Sequence, residues 1–223
     1  MTAKFKGWSF SALTAFETCP KRVYHTKIAK DVFDAPGEAA AWGDSVHKSF
    51  EHSIKTGEKL PTSIQRYEPL INALADYPGE RIVEKKMAVS SSFKPTGWTT
   101  PETWCRGIVD FGIIAPQTAV LVDWKTGKRK PESDQLKLFA GLAFAHFPNL
   151  EVVKTAFVWL KEEAVDRETF TRDQVPVIWQ TFAPRVARME RAYAEGNFPP
   201  KPSGLCRKHC PVPRHLCTHS GKT

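Results

Sequence analysis

Three stretches rich in Val, Ile and Trp follow one another in this chain: Arg81 to Ser90, Trp104 to Ala115 and Thr118 to Trp124. Side chains of that kind suit a pleated, half-buried surface, and turn signals separate the runs, so they read as three successive strands, antiparallel neighbours in one sheet. The connections agree. Ser91 to Pro101 is rich in Ser, Thr, Gly and Pro, and Ala115-Pro116-Gln117-Thr118 is short enough for a hairpin. Two of these strands hold an acid where burial calls for an apolar residue, Asp110 within Gly107-Ile108-Val109-Asp110-Phe111-Gly112-Ile113-Ile114 and Asp123 within Ala119-Val120-Leu121-Val122-Asp123-Trp124. An ionised carboxylate buried without a partner costs several kcal/mol or takes up a proton instead. The natural partner for the pair is a divalent cation.

Strand side chains alternate faces, so Asp123 and Lys125 project together while Trp124 points away and leaves its carbonyl free as a further oxygen ligand. A lysine beside such a cation orients a water and offsets charge at a phosphorus centre, which makes the set suited to hydrolysis.

Helices flank these strands. Ser11 to Tyr24 reads as a short helix capped by Ser11 and stopped near Pro20, with Leu13 and Phe16 on one face. From Glu38 to Ile54 the apolar residues Trp42, Val46, Phe50 and Ile54 recur every four positions, and Gly57 supplies a stop; His47 flanks that buried stripe. A second helical stretch covers Tyr67 to Ala75, Pro131 opens a helix that runs to about His146, and Val152 to Leu160 is a further strand. Trp179, Phe182, Val186, Met189 and Tyr193 mark a last helix, ended by Gly196 and followed by a Pro-rich tail without regular structure. The expected fold is one α/β domain over residues 1–223, a central mixed sheet between helices.

Composition narrows the class of partner. Lys and Arg outnumber Asp and Glu by 32 to 24, a net charge of +8 with a pI near 9.3, which favours a polyanion such as nucleic acid. No run approaches the roughly 18 apolar residues of a membrane helix. The N-terminal stretch after Lys4 and Lys6 is broken by Ser and Thr and ends in Glu17-Thr18-Cys19-Pro20, a poor cleavage site, so it reads as a mature cytoplasmic N-terminus. Of five cysteines, Cys206, Cys210 and Cys217 crowd the tail while Cys19 and Cys105 stand alone. That distribution points to metal or cluster ligation in a reducing compartment rather than to a disulfide framework.

Taken together, these motifs resemble the RecB-like exonuclease family of the PD-(D/E)XK superfamily, which includes the AddB nuclease domain and CRISPR-associated RecB-like exonucleases. Gly43-Asp44-Ser45-Val46-His47 is similar to a helical element whose histidine helps to hold the metal, and Glu84 in Ile82-Val83-Glu84-Lys85 to an acidic residue that opens the first strand. Gly107-Ile108-Val109-Asp110 and Val122-Asp123-Trp124-Lys125-Thr126-Gly127 match the two central motifs. The resemblance implies a restriction-endonuclease-like core, Asp110, Asp123, His47 and the Trp124 carbonyl as ligands of Mg²⁺ or Mn²⁺, and Lys125 as catalytic lysine. Gln135 and Phe139 resemble the family's Gln-x-x-x-Tyr helix, with Phe in place of Tyr and therefore without its hydroxyl.

The same resemblance implies that Cys19 joins Cys206, Cys210 and Cys217 around a [4Fe-4S] cluster, stapling segment 198–223 to the N-terminus. The tail intervals of three and six residues are each about one longer than the family's, which leaves open a zinc site completed by His209 or His215. The expected activity is a DNA exonuclease of recombination, repair or phage DNA processing, with recombination or replication proteins as partners. Open beside it stand a non-catalytic DNA-binding subunit, a site-specific endonuclease and a nuclease acting on RNA.

Overall fold

Five segments with alternating or continuous apolar character form one mixed sheet, and the helices that cover it are apolar where they face it. A computed structural model describes residues 5–130 and 134–222. In chain order the elements are α1 (Phe10–Thr18), α2 (Pro20–Val23), a π-helical turn (Tyr24–Ile28), α3 (Glu38–Thr56), a 3-10 turn (Thr62–Tyr67), α4 (Glu68–Ala75), β1 (Glu80–Val89), β2 (Cys105–Ile114) and β3 (Thr118–Lys125). They continue with α5 (Gln135–His146), β4 (Val152–Trp159), β5 (Ala164–Thr171), a 3-10 turn (Arg172–Gln174), α6 (Val175–Glu195) and α7 (Leu205–Lys208). The chain divides into two compact units, one of Met1–Ala35 with Gln180–Thr223, the other of Pro36–Trp179.

The Pro36–Trp179 unit holds the sheet, in the order β1-β2-β3-β4-β5. The pairings β1 with β2, β2 with β3 and β4 with β5 are antiparallel, whereas β3 and β4 run parallel, joined by the crossover that contains α5. On one face Val46 and Phe50 of α3, with Leu60, Ile64 and Ile71, meet Phe111, Ile113, Val122 and Trp124. Apart from the half-buried Lys137, α5 is apolar and buried along Leu136–Phe144, as expected of a helix enclosed on nearly every side. Gly141 gives one side of it room: a Cβ there would stand 3.1 Å from both Ile178 and Trp179.

The strands expected from sequence are present with ends shifted by a residue or two, and β3 extends to Lys125. Two expectations need correction, the cap of α1 and the burial of Trp42. Ser9 rather than Ser11 caps α1, its hydroxyl accepting from the Ala12 amide at 3.3 Å. The stop expected near Pro20 is there: α1 ends at Thr18, Cys19 is extended, as the residue before a proline prefers, and Pro20 starts a new helical turn. Trp42 does not share the burial of Val46 and Phe50 but stands 48% exposed. β5 carries no hydrophobic signal because it is an edge strand, Ala-Val-Asp-Arg-Glu-Thr-Phe-Thr, whose charges keep such an edge from pairing further and which buries Phe170 alone. The expected opening of α5 at Pro131 lies outside the described residues, and α5 is seen from Gln135.

In the other unit, Trp8, Leu13 and Phe16 are buried with Phe182, Val186 and Met189, and the rings of Trp8 and Phe182 lie 5.4 Å apart. Glu17 receives two hydrogen bonds from the Arg185 guanidinium, at 2.8 and 2.7 Å. Among the described residues no helix is long and apolar enough to cross a membrane.

Candidate active site

The β2–β3 ladder runs from Ile114↔Ala119 to Phe111↔Val122 and stops, while β3 stays paired with β4 as far as Lys125↔Trp159. The next positions along the two parted strands are Asp110 and Asp123. In the fork, the Trp124 amide that ladder pairing would have used donates instead to Asp110 Oδ2 at 2.9 Å. His47 enters from α3, with Nδ1 3.3 Å from Asp110 Oδ2 and Nε2 3.0 Å from the Trp124 carbonyl. The helix comes this close because residue 43, one turn earlier, is glycine: a Cβ there would already be 3.0 Å from Thr126 Oγ1.

Lys125, on the same strand face as Asp123, closes the other side. Its ammonium lies 2.6 Å from Asp123 Oδ2, donates to Gln135 Oε1 at 3.0 Å and sits 4.8 Å from the centre of the Phe157 ring. Gln135, the first residue of α5, completes a triangle by donating from Nε2 to Asp123 Oδ1 at 2.9 Å. One amide therefore fixes both the acid and the lysine.

Glu84 arrives by a backbone distortion. It sits within β1 opposite Asp110, yet has φ 49, the left-handed region that a glutamate seldom adopts. That turn of the strand brings its carboxylate to His47 and Asp110, and the three ligand atoms lie within 4.8 Å of one another, the one such trio among the described residues.

Charge in the fork is unbalanced. Burial, and then the negative Asp110, push Asp123 up to about 7 even though Lys125 and His47 pull the other way. Glu84 is raised for the same two reasons, burial first and Asp110 second, with Glu51 adding to them. Burial alone would lower His47, but Asp110, Asp123 and the Trp124 carbonyl outweigh it and raise it, as expected when both ring nitrogens face oxygens. Asp123 Oδ2 is buried, with the Lys125 ammonium 2.6 Å away. Three acids, a histidine and a carbonyl in one place form a donor set that fits a hard divalent cation.

The PD-(D/E)XK nuclease superfamily model matches residues 7–218. The chain belongs to that superfamily. Among solved structures, a candidate exonuclease from Eubacterium rectale covers 94% of this chain and 88% of its own at 15% identity and TM-score 0.57, a likeness of fold. The crystal structure of SSO0001 covers 100% and 90% at 13% identity and TM-score 0.47. No curated protein sequence matches the chain.

As a PD-(D/E)XK nuclease the chain gathers His47, Glu84, Asp110, Asp123, Trp124, Lys125 and Gln135 into one neighbourhood. Phe139 is set apart from them. It is 3% exposed and lies 3.4 Å from where a Cβ on Gly107 would stand, so its ring is spent on packing α5 against β2. Glu84 was visible in sequence as an acid at the first strand, but nothing there signals its left-handed backbone. Cys105 is fully buried, an inert thiol pushed well up by burial. Cys19, Cys206, Cys210 and Cys217 line one cavity within the Met1–Ala35 and Gln180–Thr223 unit, and burial raises Cys210, with Cys19 and Cys206 near enough to add to the effect.

Proposed function

We propose that this chain is a metal-dependent DNA exonuclease acting in recombination, repair or phage DNA processing, in the cytoplasm of a bacterial or phage-infected cell. The observation that carries the reading is the parted β2–β3 ladder, which brings Asp110, Asp123 and Lys125 to one opening with His47 and Glu84. His47, Asp110, Asp123 and the Trp124 carbonyl would hold Mg²⁺ or Mn²⁺, with Glu84 beside them. A nitrogen donor in the set tilts the preference toward Mn²⁺. Such an ion supplies an acidified water and neutralises charge on the scissile phosphate.

The protein side chains contribute position and charge. Lys125, steadied by Gln135 and the Phe157 ring, holds its ammonium where the attacking water and a phosphate oxygen meet. Gln135 keeps Asp123 from rotating away. Asp110 is anchored by the Trp124 amide at Oδ2, and Asp123 by Gln135 at Oδ1 and Lys125 at Oδ2, so both acids are held in place for the metal.

For the four cysteines the reading is a structural [4Fe-4S] cluster. Cys19, Cys206, Cys210 and Cys217 lining one cavity support it, since four thiolates in one place suit such a cluster.

End-labelled linear DNA incubated with the protein in Mn²⁺ is expected to be degraded and in EDTA to survive, and closed circles are expected to be spared. Asp123→Ala and Lys125→Ala should each abolish degradation while keeping the native circular dichroism spectrum. Full activity in either variant removes the mechanism, and digestion of closed circles replaces the exonuclease with an endonuclease.

A further inference from the structure

We propose that the cleft next to Lys125, walled by Trp42, Tyr67 and Leu160 and rimmed by Arg66 and Lys161, is a stacking subsite for one unpaired base of the DNA strand being cut. This rests on the reading of the chain as a DNA nuclease. The cleft has a volume of about 370 Å³ and is distinct from the fork of acids, sharing none of its side chains. It is nevertheless built onto the same backbone. Trp42 precedes Gly43 on the α3 turn before His47, and Thr126 follows Lys125 at the end of β3. Leu160 donates its amide to the Lys125 carbonyl at 2.9 Å.

Its chemistry is that of a site for a flat aromatic ring attached to an anion. Trp42 breaks the apolar pattern of α3: Val46 and Phe50 are buried in the core, while Trp42 is 48% exposed and lines the cleft. A large indole left half in water, in a pocket of this size, is the feature of a ligand site rather than of a packed core. The opposite wall is held rigid. The Tyr67 hydroxyl donates to the Leu160 carbonyl at 2.9 Å, and its ring meets Phe50 edge-on at 6.0 Å. Arg66 lies over the Tyr67 ring at 4.9 Å and donates to its hydroxyl at 2.8 Å, so a guanidinium plane is held at the rim. Arg66 and the exposed Lys161 give that rim the positive charge a phosphodiester requires, whereas the floor of Val46 and Ile64 is apolar.

A base paired in a duplex is stacked on both faces and cannot enter such a cleft; an unpaired one can. Trp42 is therefore a binding residue that makes the enzyme prefer single strands, or strand ends that fray. Stacking of a base on an aromatic side chain contributes enough to change affinity roughly five- to hundredfold.

The test is fluorescence anisotropy of the full chain in EDTA, with fluorescein-labelled oligothymidylate, the same strand carrying abasic sites, and a blunt duplex. The native protein should bind oligothymidylate at least fivefold more tightly than the abasic strand. Trp42→Ala should erase that difference with an unchanged melting curve, Trp42→Phe should restore most of it, and duplex affinity should hardly move. Equal binding of abasic and normal strands by the native protein overturns the subsite without reference to any variant, as does undiminished base preference in Trp42→Ala. Base-dependent binding by a protein that cuts no DNA in Mn²⁺ would defeat the nuclease reading and leave the subsite standing. Cutting that ignores Trp42, with no base preference in binding, would do the reverse.

Discussion

At the scale of single residues, Glu84 shows how a site can be set against stability. A glutamate with φ 49 in mid-strand gives up roughly 1–2 kcal/mol relative to ordinary backbone, and such distortions persist where function holds them. Here the distortion brings a third carboxylate to His47 and Asp110, in a place already short of positive charge. Glycine accepts that conformation without strain, at some cost in the entropy of the unfolded chain. Glu84→Gly is therefore expected to stabilise the metal-free protein by about 1 kcal/mol, a rise of roughly 2–4 °C in Tm, while lowering Mn²⁺-dependent cleavage at least tenfold. Thermal melts in EDTA and cleavage rates across a Mn²⁺ titration check the two halves separately. A variant that is less stable than the native chain would show that Glu84 is not strained.

Among elements, the decisive arrangement is the parting of β2 and β3, and α5 is what keeps it in place. The helix lies under the fork with Gln135 at its first turn holding Asp123 and Lys125, so the distance between α5 and β2 controls the site. Gly107 sets that distance. A Cβ at position 107 would meet Leu142 Cδ1 at 2.9 Å and Phe139 Cε1 at 3.4 Å, both side chains buried. Gly107→Ala should cost about 1–3 kcal/mol, read as a fall of several degrees in Tm, because a filled core answers added volume with strain. The same contact explains why a phenylalanine serves at 139. In that buried position a hydroxyl would need a partner, and the ring is used for packing alone.

Seen whole, the molecule closes its two ends into one unit. Met1–Ala35 and Gln180–Thr223 fold together, and the cysteines that line their shared cavity come from both: Cys19 before Pro20, and three from the tail. A covalent link across a span of this length removes unfolded-state entropy equivalent to about 5 kcal/mol. With the proposed cluster in place, the native protein purified without oxygen is expected to be brown, and Cys19→Ser to be colourless and to melt roughly 10 °C lower. A colourless native protein with stoichiometric zinc would replace the cluster with a zinc centre.

Local pattern was sufficient for much of this. Three β-rich runs, the four-residue spacing on α3, and acids embedded among Val, Ile and Leu can each be read along the chain, because strand and helix periodicity and the cost of a buried charge act within a few residues. The helix stop before Pro20 was legible for the same local reason, whereas β5 escaped because an edge strand has no need to be apolar. Tertiary structure alone decided that the β2–β3 ladder ends one position before both acids, that Glu84 turns left-handed to face them, and that Trp42 leaves the core for a cleft. Each of these depends on what lies across from a residue in space. A sequence lists only what lies beside it.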